Sequence, residues 1–235
     1  MPAKNAIKEF VADSYYHIYN RGVEKRIIFQ DEQDYTVFLS YLKTYLTKKD
    51  VSALRAVLAD PEASWRKKDQ ALKQLRLNNF FDTITLISYC LMPNHFHFLI
   101  KQTEGTAIDR FMQSLFTRYT MYFNKKYHRV GPLFQGVYKA VRVETDEQLL
   151  HLSRYIHRNP ASLASQGESL RSYSLSSYPQ FLGLVDAPWV KPDAILDFFR
   201  RDKRKARGGY ENFVEGKGYD EETFDIIRLK LDEAS

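Results

Sequence analysis

The chain has a single cysteine, Cys90, in 235 residues. That excludes an intramolecular disulfide and a cysteine-built zinc cluster. No apolar run approaches the ~20 residues of a membrane-spanning helix. The N-terminus lacks the apolar core of a signal peptide, and no internal repeat is visible. These lacks point to a soluble cytoplasmic protein held together by its own core. Material for that core is present: 44% of residues are hydrophobic and 14% aromatic. The length fits one large domain, or one domain with an appendage. A net charge of +6 and a pI of about 9.2 suit a polyanionic partner, with nucleic acid the default candidate.

Taken in order, residues 1–13 read as a polar leader. Ser14–Arg21 (SYYHIYNR) reads as a strand, and Gly22 permits a turn with positive φ. Asp31 is placed to cap a helix running to about Lys49, with Phe38, Leu39, Leu42, Tyr45 and Leu46 on one face. Residues 50–79 are charged, helix-favouring and broken at Asp60-Pro61, as in an inserted helical hairpin. A strand is expected over Thr83–Cys90, and a break at Leu91-Met92-Pro93-Asn94 precedes the next one. Core-facing periodicity returns from Thr106 to Lys126, through Phe111, Leu115, Tyr119 and Tyr122. Gly131-Pro132 breaks the chain, and Val137–Glu144 alternates as a strand. Thr145 with Gln148 forms a capping-box pattern that opens a helix. That helix must stop near Asn159-Pro160. Residues 161–185 are serine-rich, and 191–235 read as two or three small helices. The order strand, helix, strand, strand, helix, strand, helix predicts an α+β, ferredoxin-like antiparallel sheet with helices on one side.

Two stretches carry chemistry. In His95-Phe96-His97-Phe98-Leu99-Ile100 the histidines are two apart in an apolar run. On a strand they stand on one face with Cα atoms ~6.5–7 Å apart, while the phenylalanines face the core. Two ordinary strand histidines or two ligands of one metal both fit this spacing, and the stretch by itself favours the ordinary pair. In Arg154-Tyr155-Ile156-His157-Arg158-Asn159-Pro160, residues 155 and 159 share a helical face. Pro160 biases Asn159 away from helical geometry and weakens that alignment. His157 lies on another face and reads as surface or substrate-contacting. Two imidazoles and an amide oxygen leave open positions on a divalent ion that polarises a phosphodiester. A positioned tyrosine hydroxyl can then attack phosphorus.

Met92-Pro93-Asn94-His95-Phe96-His97 resembles the HUH motif of insertion-sequence single-tyrosine transposases. Tyr155-Ile156-His157-Arg158-Asn159-Pro160 resembles the nucleophile segment of their REP-associated subgroup. Three more stretches match in order: Tyr16–Gly22 the first strand and turn, Gly131–Gly136 the segment before the last sheet strand, and Ser176-Ser177-Tyr178 a motif beyond the catalytic helix. The resemblance spans roughly residues 14–185 and implies a metal-dependent single-stranded DNA endonuclease and strand transferase. It implies Tyr155 as nucleophile, forming a 5′-phosphotyrosine and freeing a 3′-hydroxyl. His95, His97 and Asn159 would hold Mg²⁺ or Mn²⁺. The imidazoles favour Mn²⁺, since Mg²⁺ prefers oxygen ligands. The implied partner is single-stranded DNA beside a hairpin or palindromic repeat, in a bacterial, nucleoid-associated setting. Relatives include homodimers with shared sites and apparent monomers. The insertion at 50–79 departs from compact members, with consequences for hairpin recognition or dimer contacts.

Residues 1–185 are expected to form the nuclease domain and 186–235 a small helical extension. Arg21, Lys25, Arg26, Arg118, Lys125, Lys126 and Arg129 are candidate phosphate contacts. Tyr19, Phe134 and Tyr138 are candidates either for base stacking or for the core. Arg200–Arg207 is either a duplex clamp or exposed helix surface, and Cys90 a core residue. Two other readings stand beside the nicking enzyme. One is a domesticated, non-cleaving binder of structured DNA or RNA; the other is a metal phosphodiesterase that uses water.

Overall fold

The computed structural model describes residues 10–161, 169–201 and 209–216. The leader before residue 10 and most of the Arg200–Arg207 run lie outside them. Four strands form one sheet: β1 (Ser14–Arg21), β2 (Ile84–Met92), β3 (His95–Gln102) and β4 (Lys139–Val143). Their order is β2-β3-β1-β4 with every neighbouring pair antiparallel. With α1 (Glu32–Leu46) after β1, α4 (Ala107–Lys126) after β3 and α5 (Asp146–Arg158) after β4, this is the expected ferredoxin-like order.

Local chemistry sets the helix boundaries. The Asp31 carboxylate accepts from the Asp34 amide and caps α1, which ends at Leu46, three residues earlier than expected. Thr145 Oγ1 caps α5 by accepting from the Gln148 amide at 3.1 Å. Gln148 Oε1 returns to the Glu144 amide at 2.8 Å, one residue short of the reciprocal capping-box bond. The inserted segment is a hairpin of α2 (Val51–Ala59) and α3 (Trp65–Arg76). The expected break after Cys90 shrinks to Pro93-Asn94, because Leu91 and Met92 still pair with β3. Gly22 serves a different purpose from the one anticipated. Its φ is −62°, and an added Cβ would lie 2.2 Å from the Arg26 carbonyl, so close approach demands the glycine.

The sheet is covered on both faces, not one. Phe96, Phe98, Ile100, Tyr16 and Ile18 pack against Phe38 and Leu42 of α1 and Phe111, Leu115 and Tyr119 of α4. The opposite face, with Cys90, Met92 and Leu99, packs against Leu149, Leu152 and Ile156 of α5. The same second core takes Tyr178 and Phe181 of α6 (Tyr178–Phe181), Ile195 and Phe199 of α7 (Asp193–Arg201), and Tyr210, Phe213 and Val214 of α8 (Gly209–Glu215). Ser176 and Val190 also make isolated bridges to β2. A purely one-sided sandwich would leave the apolar second face of β2 and β3 in water. Cys90 is fully buried, as expected, and burial raises its thiol pKa.

Candidate active site

Strand alternation places His95 and His97 on the second face, beneath α5. The register sets Arg21 opposite His95 and Tyr19 opposite His97, with Met92 and Cys90 across the other edge. The two imidazole centroids are 5.1 Å apart and the rings nearly perpendicular, at 86°. Each ring has its Nδ1 engaged. His95 Nδ1 meets Asn94 Oδ1 at 2.7 Å, and His97 Nδ1 meets His17 Nε2 at 2.9 Å. Burial lowers the pKa of both. At His97 two neighbouring imidazoles add to burial, and at His95 a side-chain hydrogen bond from Asn159 opposes it. Both rings are therefore neutral near pH 7, the form that ligates metals.

His17 was no site candidate on sequence grounds. It is buried, its pKa is pushed down to about 3 by burial, and its ring lies edge to edge with His97, the centroids 5.1 Å apart and the planes 18° from parallel. The available signal was period 2 along β1, which puts His17, Tyr19 and Arg21 on one face. Only the pairing of β1 with β3, some eighty residues away, gives that face a meaning. Tyr19 stacks on both His17 and His97.

Helix α5 lays its apolar stripe on the sheet, which brings Tyr155 over the histidines. The Tyr155 ring centroid is 5.4 Å from His97 and 6.1 Å from His17, edge-on to both. Asn159 keeps helical geometry (φ −49°, ψ −42°) despite Pro160. Its Nδ2 donates to the Tyr155 carbonyl at 2.9 Å, and its side chain also bonds to His95. That side-chain bond raises the His95 pKa. The Asn159 carboxamide thus sits beside the histidine pair. His157 departs from its surface reading. It is fully buried, with Nδ1 at 2.8 Å from the Tyr210 hydroxyl and Nε2 at 2.8 Å from Ser177 Oγ.

The basic candidates separate by environment. Arg21 lies beside His95 in register and donates from Nε to Gln135 Oε1 at 2.6 Å. Lys25 and Lys125 are exposed; Arg26 is half-buried beside Glu24. Arg129 donates to Asn124 Oδ1. Arg118 lies over the Tyr41 ring at 3.8 Å, and Lys126 binds Asp31 and the buried Asp34, so both serve the α1–α4 layer. Phe134 stacks on Phe116 at 4.0 Å and Tyr138 donates to Asp109; both are buried core residues rather than exposed stacking platforms.

Residues 70–159 match the family model described as "Transposase IS200 like". The match covers 90 of the chain's 235 residues. That segment opens within α3 and ends on Asn159, so it encloses the histidine strand and the tyrosine helix. Among solved structures, the chain is similar to a REP-associated tyrosine transposase bound to a REP hairpin. The identity is 9%, coverage 80% of this chain and 96% of that one, and the TM-score 0.44. No curated protein matches.

The donor set of His95, His97 and Asn159 fits a divalent cation on chemical grounds. Two neutral imidazoles converge, each with its Nδ1 held by a partner, and an amide side chain adjoins them. Among the described residues no group of three His, Cys, Asp or Glu could hold a metal. A third donor would therefore be the neutral Asn159 oxygen, leaving the ion its full charge for an anionic substrate. No helix among the described residues is long and apolar enough to cross a membrane.

Proposed function

We propose that this protein is a metal-dependent single-stranded DNA nickase and strand transferase acting beside DNA hairpins. The observation that carries the reading is Tyr155 within 5.4 Å of the His97 ring, centroid to centroid, inside one chain. Tyr155 is the nucleophile, and the same subunit supplies both halves of its site. His95, His97 and Asn159 hold Mg²⁺ or Mn²⁺, and the bound ion supplies charge to polarise the scissile phosphodiester. The Tyr155 oxygen forms a bond to phosphorus and loses its proton to solvent. The bond from phosphorus to the 3′ oxygen breaks, and that oxygen leaves as a 3′-hydroxyl. The 5′-phosphotyrosine conserves the diester for rejoining to another 3′ end.

Arg21, Lys25, Arg26, Lys125 and Arg129 are proposed to contact phosphates, giving affinity without sequence information. Arg21 is the strongest of these, because the register puts it opposite His95. Tyr19, whose ring already stacks on His17 and His97, is the candidate that remains for contact with a base, since Phe134 and Tyr138 are committed to the core.

The test is covalent trapping on labelled, hairpin-flanked single strands with Mn²⁺. The wild type is expected to form an adduct, and Tyr155→Phe to lose it while still binding the hairpin. Metal-dependent cleavage without an adduct would instead make water the nucleophile. Binding without cleavage would make the chain a non-cutting binder.

A further inference from the structure

Behind His97 lies a group that the nicking chemistry itself does not require. His17 is 1% exposed, has its Nε2 2.9 Å from His97 Nδ1, and leaves its own Nδ1 buried with no hydrogen-bond partner. One hydrogen is shared between the two facing nitrogens, so one ring must donate and the other accept. If His17 donated, His97 would carry its proton on Nε2, and that nitrogen would have no lone pair for a cation. If His97 donates from Nδ1, its Nε2 lone pair is free. His17 then carries its hydrogen on the orphaned Nδ1, an arrangement that costs desolvation energy in the protein interior.

We propose that His17 is a positioning residue that fixes His97 in the Nδ1–H tautomer and so presents its Nε2 to the divalent cation. It rests on the reading of His95, His97 and Asn159 as the cation site. The two rings lie 18° from parallel and edge to edge, so the hydrogen bond between them fixes the plane of His97, and Tyr19 stacks on both. His95 is treated likewise by Asn94, through a carboxamide rather than an imidazole. The two ligands thus have partners of different kinds. A carboxamide oxygen can only accept, whereas His17 accepts only in one of its tautomers.

The experiment measures Mn²⁺ binding by electron paramagnetic resonance, with no DNA present. His17→Leu keeps apolar volume and removes the acceptor. His17→Gln places an amide oxygen near the former Nε2. His97→Ala reports on the cation site itself. The expected result is a 10–100-fold weaker Mn²⁺ affinity in His17→Leu, with recovery to within about threefold of wild type in His17→Gln. Thermal melting of each variant shows whether the fold is kept. With His17→Leu folded, wild-type Mn²⁺ affinity in that variant overturns the proposal. So does equal weakening in the Leu and Gln variants, because that is a packing effect. Should His17→Leu fail to fold, the Gln variant alone decides: it must bind Mn²⁺ nearly as well as wild type. Failure of the cation-site reading looks different, since wild type and His97→Ala would then bind Mn²⁺ alike.

Discussion

At the scale of single residues, the proposed site depends on groups that hold its histidines as much as on the histidines themselves. Asn94 shows this best. Its Oδ1 accepts at His95 Nδ1, its Nδ2 donates to the Lys25 carbonyl at 3.3 Å, and its own carbonyl accepts from the Gly22 amide. The tight turn before β3 therefore orients His95 and ties down the loop after β1. Glu24 and Lys25 in that loop both have positive φ, which non-glycine residues adopt only when their surroundings impose it. Replacing Asn94 by Ala keeps the backbone bond and frees the ring. The expected result is a Mn²⁺ affinity about tenfold weaker with little change in melting temperature, since such partners are worth 10–100-fold in metal affinity. Isothermal titration on the folded variant checks it. The shared faces of His95 with His97 and of Tyr155 with Asn159 were legible in the sequence because their spacings are local, two on a strand and four on a helix. His17 was not, because its role depends on strand register across the chain. The ion pairs of Lys126 were illegible for the same reason: its anions, Asp31 and Asp34, lie more than ninety residues away.

At the scale of elements, α5 is the part that must be held still, and it is held from behind. Its apolar stripe supplies adhesion, while His157 supplies direction through bonds to Ser177 Oγ and the Tyr210 hydroxyl. Tyr210 also donates to Ser153 Oγ, one turn earlier on the same helix. Ser177 Oγ in turn accepts from the Tyr89 amide of β2, so the helix is tied to the sheet through polar links. This network has a pH signature. Burial pushes the His157 pKa down from 6.5 to about 3. Below about pH 6.5 the unfolded chain binds a proton that the folded chain refuses. Stability is therefore greatest above that point and falls as the pH drops towards 3. His157→Gln keeps a donor and an acceptor but cannot protonate. Between pH 6 and 4, its unfolding free energy is expected to fall less steeply than wild type, by about 1.4 kcal/mol per pH unit. Urea titrations across that range measure the slope, and parallel slopes would mean that His157 is already charged in the fold. Sequence periodicity found α5 and its cap, but put His157 on the surface. The second core above the helix comes from segments whose docking no local pattern encodes.

At the scale of the whole molecule, two segments look peripheral by composition and differ in packing. The α2–α3 hairpin contributes Ala71 as its buried residue and exposes Trp65. Its ends are close together, since Lys49 Nζ donates to the Leu75 carbonyl at 3.3 Å. A short flexible linker can therefore replace residues 51–76 at small cost, because loop closure depends only weakly on length. The segment after Asp186 is different. Ile195, Phe199, Tyr210, Phe213 and Val214 are buried in the core that α5 shares. Each such side chain contributes roughly 1.5–3 kcal/mol on burial. Together they rival the entire 5–15 kcal/mol by which a domain is typically stable. Removing them also strips the Tyr210 hydroxyl from His157 and bares the back of the tyrosine helix. The linker variant is expected to melt within a few degrees of wild type and to keep forming the covalent adduct. A chain ending at Asp186 is expected to lose its cooperative melt, bind a hydrophobic dye and form no adduct. Differential scanning calorimetry with adduct trapping on both variants decides the matter. A truncated chain that melted sharply and still trapped DNA would show that residues 10–186 suffice to hold Tyr155 over the histidines.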